Sequence, residues 1–199
     1  VPVQRALLFK YILENKIIYI DEDELIVGER GPAPKATPTY PEVCIHSERD
    51  LEIASAREKV PFAVDEKTKA VYRDRIIPFW QGRTIREKIF AQMTAEWKEA
   101  YEAGIFTEFQ EQRAPGHTAL GGKIYRKGFV DFKAEIASAL KTLDYFSDPE
   151  ALDKQEELRA MNIAADALIA YAQRHAAKLR EMAADATDSA RKNELEQMA

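Results

Sequence analysis

The chain has 199 residues, of which 46% are apolar, 32% charged and 10% aromatic. A chain of this size and composition can bury a hydrophobic core, which excludes an intrinsically disordered protein. The net charge of −5 gives no basic surface for nucleic acid or an anionic membrane, and no apolar run reaches the roughly 18–20 residues that cross a bilayer. Cys44 is the only cysteine, which excludes an internal disulfide framework and indicates a reducing compartment.

The two ends of the sequence have the pattern of a piece of a longer protein. The chain begins at Val1 without Met or signal-peptide features, and it stops at Ala199 within a segment typical of a continuing helix. We therefore expect apolar faces that need partners outside the chain, with an exposed apolar surface above the few hundred Å² usual for a soluble monomer.

The first 27 residues predict one helix and two short extended segments. Residues 3–15 have the spacing of a helix with one apolar face, formed by Val3, Leu7, Tyr11 and Ile12. Residues 17–20 and 25–27 are β-branched runs separated by an acidic turn, which predicts two short strands or extended pieces.

The segment from Gly28 to Pro41 carries four prolines within ten residues, which predicts an extended backbone. A linker between domains is one interpretation. The presence of Tyr40, Val43 and Ile45 favours the other, a rigid loop laid over a core.

Helix-capping residues predict further helices along the chain. The predicted ranges are Ser47 to about Lys59, Glu66–Arg75 after Asp65, 84–93, 95–103 before Gly104, 129–143, and about 149–183. The 129–143 helix has Phe132, Ile136 and Leu140 on one face. The last helix has an alanine-rich seam that favours close packing against a larger body, formed by Leu158, Met161, Ala165, Leu168, Ala172, Leu179 and Met182. The fold class is therefore mostly α, with long loops at 28–45 and 105–122 that are typical of functional segments.

The second loop contains the most reactive arrangement of side chains. The turn pair Pro115-Gly116 separates Arg113 from His117. Arginine offers a planar fork for oxygen atoms and histidine exchanges a proton near neutral pH, so the pair suits a polar, hydroxylated substrate. The structural alternative is that Arg113 pairs with a nearby carboxylate while His117 caps the turn.

The other candidates favour structural roles. Cys44 lies two residues from His46 without a basic cluster that would activate the thiol, and His175 falls in the apolar seam of the last helix. One cysteine and three histidines give no metal-ligand pattern, and residues 28–31 match neither phosphate-binding glycine motif.

The two loops and the segments between them resemble a known family. The similar stretches are Leu25–Lys35, Tyr40–Glu42, Ile76–Trp80, Gly82–Thr84, Phe106–Phe109 and Gln112–Thr118. Together they resemble the N-terminal part of glycyl radical enzymes of the pyruvate formate-lyase type, in the branch of glycerol and propanediol dehydratases. The resemblance covers residues 1–199 as one incomplete domain.

The resemblance implies a ten-stranded α/β barrel wrapped in helices, of which this chain supplies N-terminal helices. It also implies a glycyl radical near the C-terminus, installed by a radical S-adenosylmethionine activating enzyme, and a thiyl radical on a cysteine of a Cys-x-Glu loop. The sequence contains neither the motif of the radical glycine nor a Cys-x-Glu motif, and its cysteine, Cys44, is followed by Ile45-His46. We therefore expect this chain alone to be inactive and to bind no cofactor or metal.

The family resemblance assigns Phe109, Arg113 and His117 to substrate binding, with His117 as the catalytic residue. Diol dehydratases have histidine at the position of His117, whereas choline-cleaving relatives have an acid there. The implied activity is elimination of water from a vicinal diol such as glycerol. A lyase that cleaves a sulfonate, held by Arg113, or choline is an alternative, as is an inactive helical scaffold.

Partners and location follow from the same resemblance. The implied partners are the activating enzyme, a small polar substrate and a second copy in a homodimer. The implied location is the cytoplasm of an anaerobic bacterium, in some branches within a microcompartment.

Overall fold

The computed structural model describes residues 1–29, 31–105 and 121–199, and these residues are helical with no β-strand among them. The chain forms two units, one of Val1–Pro32 with Leu120–Ala199 and one of Ala33–Ala119. Within the described ranges, no helix is both long and apolar enough to cross a membrane. The helices are α1 Pro2–Asn15, α2 Glu48–Ser55, α3 Glu66–Val71, α4 Ile77–Trp80, α5 Ile85–Gln92, α6 Ala95–Glu102, α7 Phe129–Lys141, α8 Ala151–Asp185 and α9 Ser189–Met198.

The first unit is built around α8, against which α1, α7 and α9 pack. Alanines supply much of the buried surface of this helix, which lets neighbouring backbones approach closely: Ala151, Ala160, Ala165, Ala167 and Ala183. The predicted seam is therefore confirmed in part, because Ala165 and Leu179 are buried whereas Met161 is 54% exposed. The predicted face of α7 is confirmed by the burial of Ile136.

The segment between α1 and the proline-rich stretch is extended without pairing into strands. Ile20 is buried in a cluster with Leu179, Ala183 and Leu195, and Ile18 and Val27 pack against the same cluster. The strand alternative is wrong, because the apolar side chains of this segment are covered by α8 and α9 rather than by a neighbouring strand.

Helix α1 has the predicted range, but the predicted apolar face is not the one that packs. Ala6 and Leu13 are buried, whereas Leu7, Tyr11 and Ile12 of the predicted face are 45%, 65% and 47% exposed. The small Ala6 allows close approach to the alanine-rich surface of α8, which the bulkier side chains do not. Helix α1 is therefore apolar on two sides. The side with Leu7, Tyr11 and Ile12 is exposed, as expected for a chain with uncovered apolar surface.

The second unit holds α2 to α6, of which α2 and α3 start after the predicted caps Ser47 and Asp65. Ser47 and Thr84 each form a capping box, and Asp65 and Thr94 accept a hydrogen bond from the third residue of their helices. Several helix ends differ from the sequence prediction, and those of α2 and α8 show why. Helix α2 ends at Ser55 rather than near Lys59. In the first unit, α8 begins after Glu150 rather than at Pro149, because a carboxylate oxygen of Asp148 accepts a hydrogen bond from the Glu150 amide in a turn.

Candidate functional site

The proline-rich segment is held within the second unit by hydrogen bonds at Lys35 and Thr39. The carbonyl of Lys35 accepts the Ala63 amide at 3.0 Å. Further along, the Thr39 hydroxyl and the buried Tyr72 hydroxyl are hydrogen-bonded to each other. These contacts favour the interpretation as a rigid loop over a core.

The end of this loop caps α5. The carbonyls of Glu42 and Val43 accept the amides of Ile85 and Arg86 at 2.9 and 3.0 Å. These amides belong to the first helical turn, which has no acceptors within the helix. The loop and the helix therefore hold each other in place.

A compact hydrogen-bonded turn precedes α5. Thr84 is only 1% exposed, and the Glu87 carboxylate accepts hydrogen bonds from its hydroxyl at 2.7 Å and its amide at 3.1 Å. The same carboxylate accepts the Gly82 amide at 2.9 Å, and Gly82 has a φ of +75°. The Gly82 amide and then the Thr84 hydroxyl hold the pKa of Glu87 below its ordinary value.

The sequence predicts a helix from Glu66 to Arg75. In the structure the helical segment is longer and consists of α3, a π-helical turn at Tyr72–Ile76 and α4. Pro78 explains the turn, because proline has no amide and its ring clashes with the carbonyl four residues earlier in a regular helix. Arg73 in this turn makes a two-pronged ion pair with Glu48, with nitrogen–oxygen distances of 2.8 and 2.5 Å. Beyond Pro78, Phe79 stands edge-on to Trp80 with ring centroids 5.2 Å apart.

The predicted substrate-binding residues Phe109, Arg113 and His117 lie outside the residues that the structure describes. Two glycines with positive φ lie near the described ends of this segment: Gly104 at +72° after α6, and Gly121 at +49° as the first residue of a short 3₁₀ helix. Gly104 thus ends α6 as predicted. The roles of the three residues remain predictions.

Cys44 is half-buried within the proline-rich segment. Its amide donates to the Tyr40 carbonyl at 3.2 Å, and its thiol donates to the Ile45 carbonyl at 3.7 Å. His46, two residues later, is exposed. No group of three side chains that could hold a metal ion occurs among residues 1–29, 31–105 and 121–199.

His175 packs as the sequence predicted, but one of its ring nitrogens is unsatisfied. The ring is 5% exposed, stands edge-on to Tyr171 at 4.3 Å, and donates from Nδ1 to the Tyr171 carbonyl at 2.9 Å. Its Nε2 atom is buried, with no hydrogen-bond partner among the residues that the structure describes. This arrangement gives His175 a packing role in the middle of α8.

Sequence reasoning missed Arg174, which ties α8 to α1. Its guanidinium donates to the carbonyls of Leu13 and, at 2.6 Å, of Lys16. A basic residue next to a buried position in a long helix was the only signal, and it did not reveal a partner about 160 positions away in sequence.

Comparison with known proteins identifies the family. A family model described as pyruvate formate lyase-like matches residues 1–199. The chain belongs to the pyruvate formate lyase-like family. This result confirms the resemblance to glycyl radical enzymes and the mostly helical fold class of this portion.

Two proteins illustrate the likeness. Trans-4-hydroxy-L-proline dehydratase of Clostridioides difficile is 49% identical over 195 residues, which are 98% of this chain and 25% of that protein. Its crystal structure with bound trans-4-hydroxy-L-proline has a TM-score of 0.89 and covers 100% of this chain. The glycerol-bound B12-independent glycerol dehydratase of Clostridium butyricum has a TM-score of 0.80 at 29% identity, covering 99% of this chain and 25% of that one. This chain thus spans about a quarter of the length of the relatives it matches.

Proposed function

We propose that this chain belongs to a glycyl radical dehydratase that removes water from a small hydroxylated substrate, and that the substrate is a hydroxylated cyclic amino acid of the trans-4-hydroxy-L-proline type. The identity of 49% to a trans-4-hydroxy-L-proline dehydratase carries this proposal. Identity to the glycerol dehydratase is 29% over nearly the same residues. A vicinal diol, which His117 suggested, becomes the second candidate.

The role that we propose for this portion is substrate selection. Hydroxide is a poor leaving group, so a side chain that donates a proton or a hydrogen bond to the departing oxygen lowers the barrier. We assign that role to His117, which would release water as the carbon–oxygen bond breaks. Arg113 has the planar fork that binds a carboxylate, either of the substrate or of an acidic residue that orders the loop. Phe109 would supply an apolar wall.

The radical chemistry itself is not assigned to residues of this chain. The resemblance implies a glycyl radical and a cysteine that begin the reaction, and Cys44 lacks the Cys-x-Glu sequence of that cysteine. The half-buried position of Cys44 within a hydrogen-bonded loop agrees with a structural role. We propose that Cys44→Ala in the full-length enzyme preserves both radical content and turnover, and that residues 1–199 alone show no turnover.

The substrate is tested with the full-length protein after anaerobic radical installation by its activating enzyme. Consumption of trans-4-hydroxy-L-proline, 1,2-propanediol, glycerol and isethionate is measured at equal radical content, determined by electron paramagnetic resonance. We expect turnover of trans-4-hydroxy-L-proline. Turnover of a diol in its place would transfer the proposal to the second candidate, and release of sulfite from isethionate would reject both.

The role of His117 is tested by substitution in the same protein. His117→Ala should lower turnover by about 10²–10⁴-fold, the usual contribution of an acid–base group. His117→Gln keeps a hydrogen-bond donor but cannot transfer a proton, so substrate binding should persist while turnover falls. His46→Ala is the matched control, because His46 is exposed. Near-normal turnover in both His117 variants would return His117 to the role of a turn cap.

A further inference from the structure

Three side chains of the second unit join α5 to α6, and we call them the α5–α6 clamp: Arg86, Phe90 and Tyr101. The guanidinium of Arg86 donates a hydrogen bond from Nη2 to the Tyr101 hydroxyl at 3.3 Å. Its Cζ atom lies over the Phe90 ring, 4.4 Å from the ring centroid. Phe90 in turn stands edge-on to Tyr101, with ring centroids 5.3 Å apart. All three residues are half-buried, so water weakens these contacts only in part.

Arg86 extends from a turn that is itself held in place. Its amide donates to the Val43 carbonyl at 3.0 Å, and Thr84 and Glu87 form a capping box at the same turn. A long side chain can fix the position of its partner only when its own backbone is fixed. The side chain of Arg86 therefore ties α6 to the rigid start of α5.

Tyr101 lies in the last turn of α6, and the chain leaves this turn through a Schellman motif. The Ile105 amide donates to the Ala100 carbonyl, and the Gly104 amide donates to the Tyr101 carbonyl, both at 3.0 Å. Gly104 supplies the positive φ of +72° that this motif requires. Tyr101 thus belongs to the helix end through its backbone and to the clamp through its side chain. The clamp therefore fixes the position and the direction in which the chain leaves α6.

The segment that follows carries the residues to which we assign substrate roles. Phe109 is four positions after Ile105, and His117 is twelve positions after it. Four residues span at most about 14 Å, so the place of Ile105 limits where Phe109 can lie. A misplacement of about 1 Å caused by a distant substitution can lower a rate about 10²-fold. A shift of the last turn of α6 should therefore be felt in catalysis.

We propose that Arg86 and Tyr101 are positioning residues for substrate binding, because by fixing the last turn of α6 they set where the chain enters the segment with Phe109, Arg113 and His117. This inference rests on the proposed function, which gives those three residues their substrate roles. Neither Arg86 nor Tyr101 is assigned a contact with substrate. The structural alternative is that the clamp only stabilises the second unit.

The test uses two variants of the full-length protein, each of which removes the hydrogen bond between Arg86 and Tyr101. Tyr101→Phe keeps the ring against Phe90, and Arg86→Met keeps part of the apolar stem. Both kcat and KM are measured per glycyl radical for the substrate that the unsubstituted enzyme consumes. We expect kcat/KM to fall about tenfold in each variant, with a lower kcat and a higher KM, because the segment carries binding and catalytic groups. Tyr145→Phe is the matched control, since it removes a tyrosine hydroxyl that accepts a hydrogen bond from Gln155 at 2.8 Å in the first unit.

A double-mutant cycle separates positioning from stability. If Tyr101 acts through the segment, combining Tyr101→Phe with His117→Gln should lower kcat/KM by clearly less than the product of the two single effects. Hydrogen exchange is a second readout that does not depend on turnover. Exchange should be faster in Tyr101→Phe for peptides spanning residues 104–119 and unchanged for peptides spanning residues 48–80.

Three outcomes would overturn the proposal. The first is an unchanged kcat and KM per radical in both Tyr101→Phe and Arg86→Met. The second is a full multiplication of the effects of Tyr101→Phe and His117→Gln, and the third is equally faster exchange in both sets of peptides, which would establish the structural alternative. Failure of the proposed function looks different: His117→Gln alone would leave turnover near normal, while exchange of residues 104–119 would still respond to Tyr101→Phe and so uphold the positioning.

Discussion

Replacing Arg174 by methionine removes the side chain that links α8 to the end of α1 and retains much of its apolar stem. In the native structure its guanidinium donates to two carbonyls at the C-terminal end of α1, those of Leu13 and Lys16. Carbonyls at a helix end have no partner within the helix. The substitution therefore leaves both without their charged donor.

The expected cost follows from these two contacts. A hydrogen bond to a charged group contributes about 1.5–3 kcal/mol, and a cation at a helix C-terminus adds about 0.3–1 kcal/mol. Arg174 is half-buried, so water replaces part of what is lost. We expect the last turn of α1 to open more easily by about 2–3 kcal/mol, which corresponds to a 30- to 150-fold larger open population at about 1.4 kcal/mol per factor of ten.

Hydrogen exchange read by mass spectrometry on peptides spanning residues 1–20 measures this opening. The amide of Lys16, bonded to the Ile12 carbonyl at 2.8 Å, lies in the turn concerned. Lys178→Met is the matched control, because Lys178 forms an exposed pair with Glu181 whose loss should cost less than about 0.5 kcal/mol. Equal exchange rates in the two variants would refute the role given to Arg174.

Three further predictions concern stability. Val60 is a β-branched residue with a φ of +52° and 74% exposure, so Val60→Asn should stabilise the protein by about 1 kcal/mol in urea denaturation. Val60→Ala should gain less, because alanine lacks the short polar side chain that hydrogen-bonds locally at positive φ; a loss in both would reject the strain. The pKa of Glu87 is lower in the folded protein, so its contribution to stability is present above its unfolded pKa and is lost as the pH falls through its folded pKa. Glu87→Gln, compared with Glu99→Gln, should therefore flatten the dependence of thermal stability on pH below about 5, and an unchanged slope would contradict this. His175→Phe keeps the edge-on contact with Tyr171, loses the hydrogen bond from Nδ1 and removes the buried Nε2; because the cost of an unsatisfied polar atom exceeds the contribution of one hydrogen bond, it should stabilise the protein by about 1 kcal/mol, and destabilisation would contradict this balance.

Helix starts and stops were predictable because the groups that decide them are close in sequence. Ser47 and Thr84 accept a hydrogen bond from a residue three positions later, and Gly104 supplies the positive φ that ends α6. Such signals depend on local geometry alone. The sequence could thus indicate these boundaries before any tertiary contact was known.

The packing of α1 and the π-helical turn were not predictable in the same way. Periodicity shows that α1 has apolar residues but not which of its two apolar sides meets α8, since that choice depends on the alanines of a helix far away in sequence. Pro78 signals an irregularity, but a break and a π-helical turn satisfy the same local rule. The continuation from α3 to α4 depends on the surrounding contacts of Tyr72 and Arg73.

The resemblance to the family and the choice of substrate rest on different residues. Of the similar stretches, Tyr40–Glu42 and Gly82–Thr84 both form hydrogen bonds to the first turn of α5, which are part of the framework of the second unit. Residues with such framework roles explain why the family is recognised so readily, yet they carry no chemistry that would distinguish a hydroxylated amino acid from a diol. We propose that this distinction depends on groups that can contact a leaving hydroxyl or a carboxylate, the roles proposed above for His117 and Arg113.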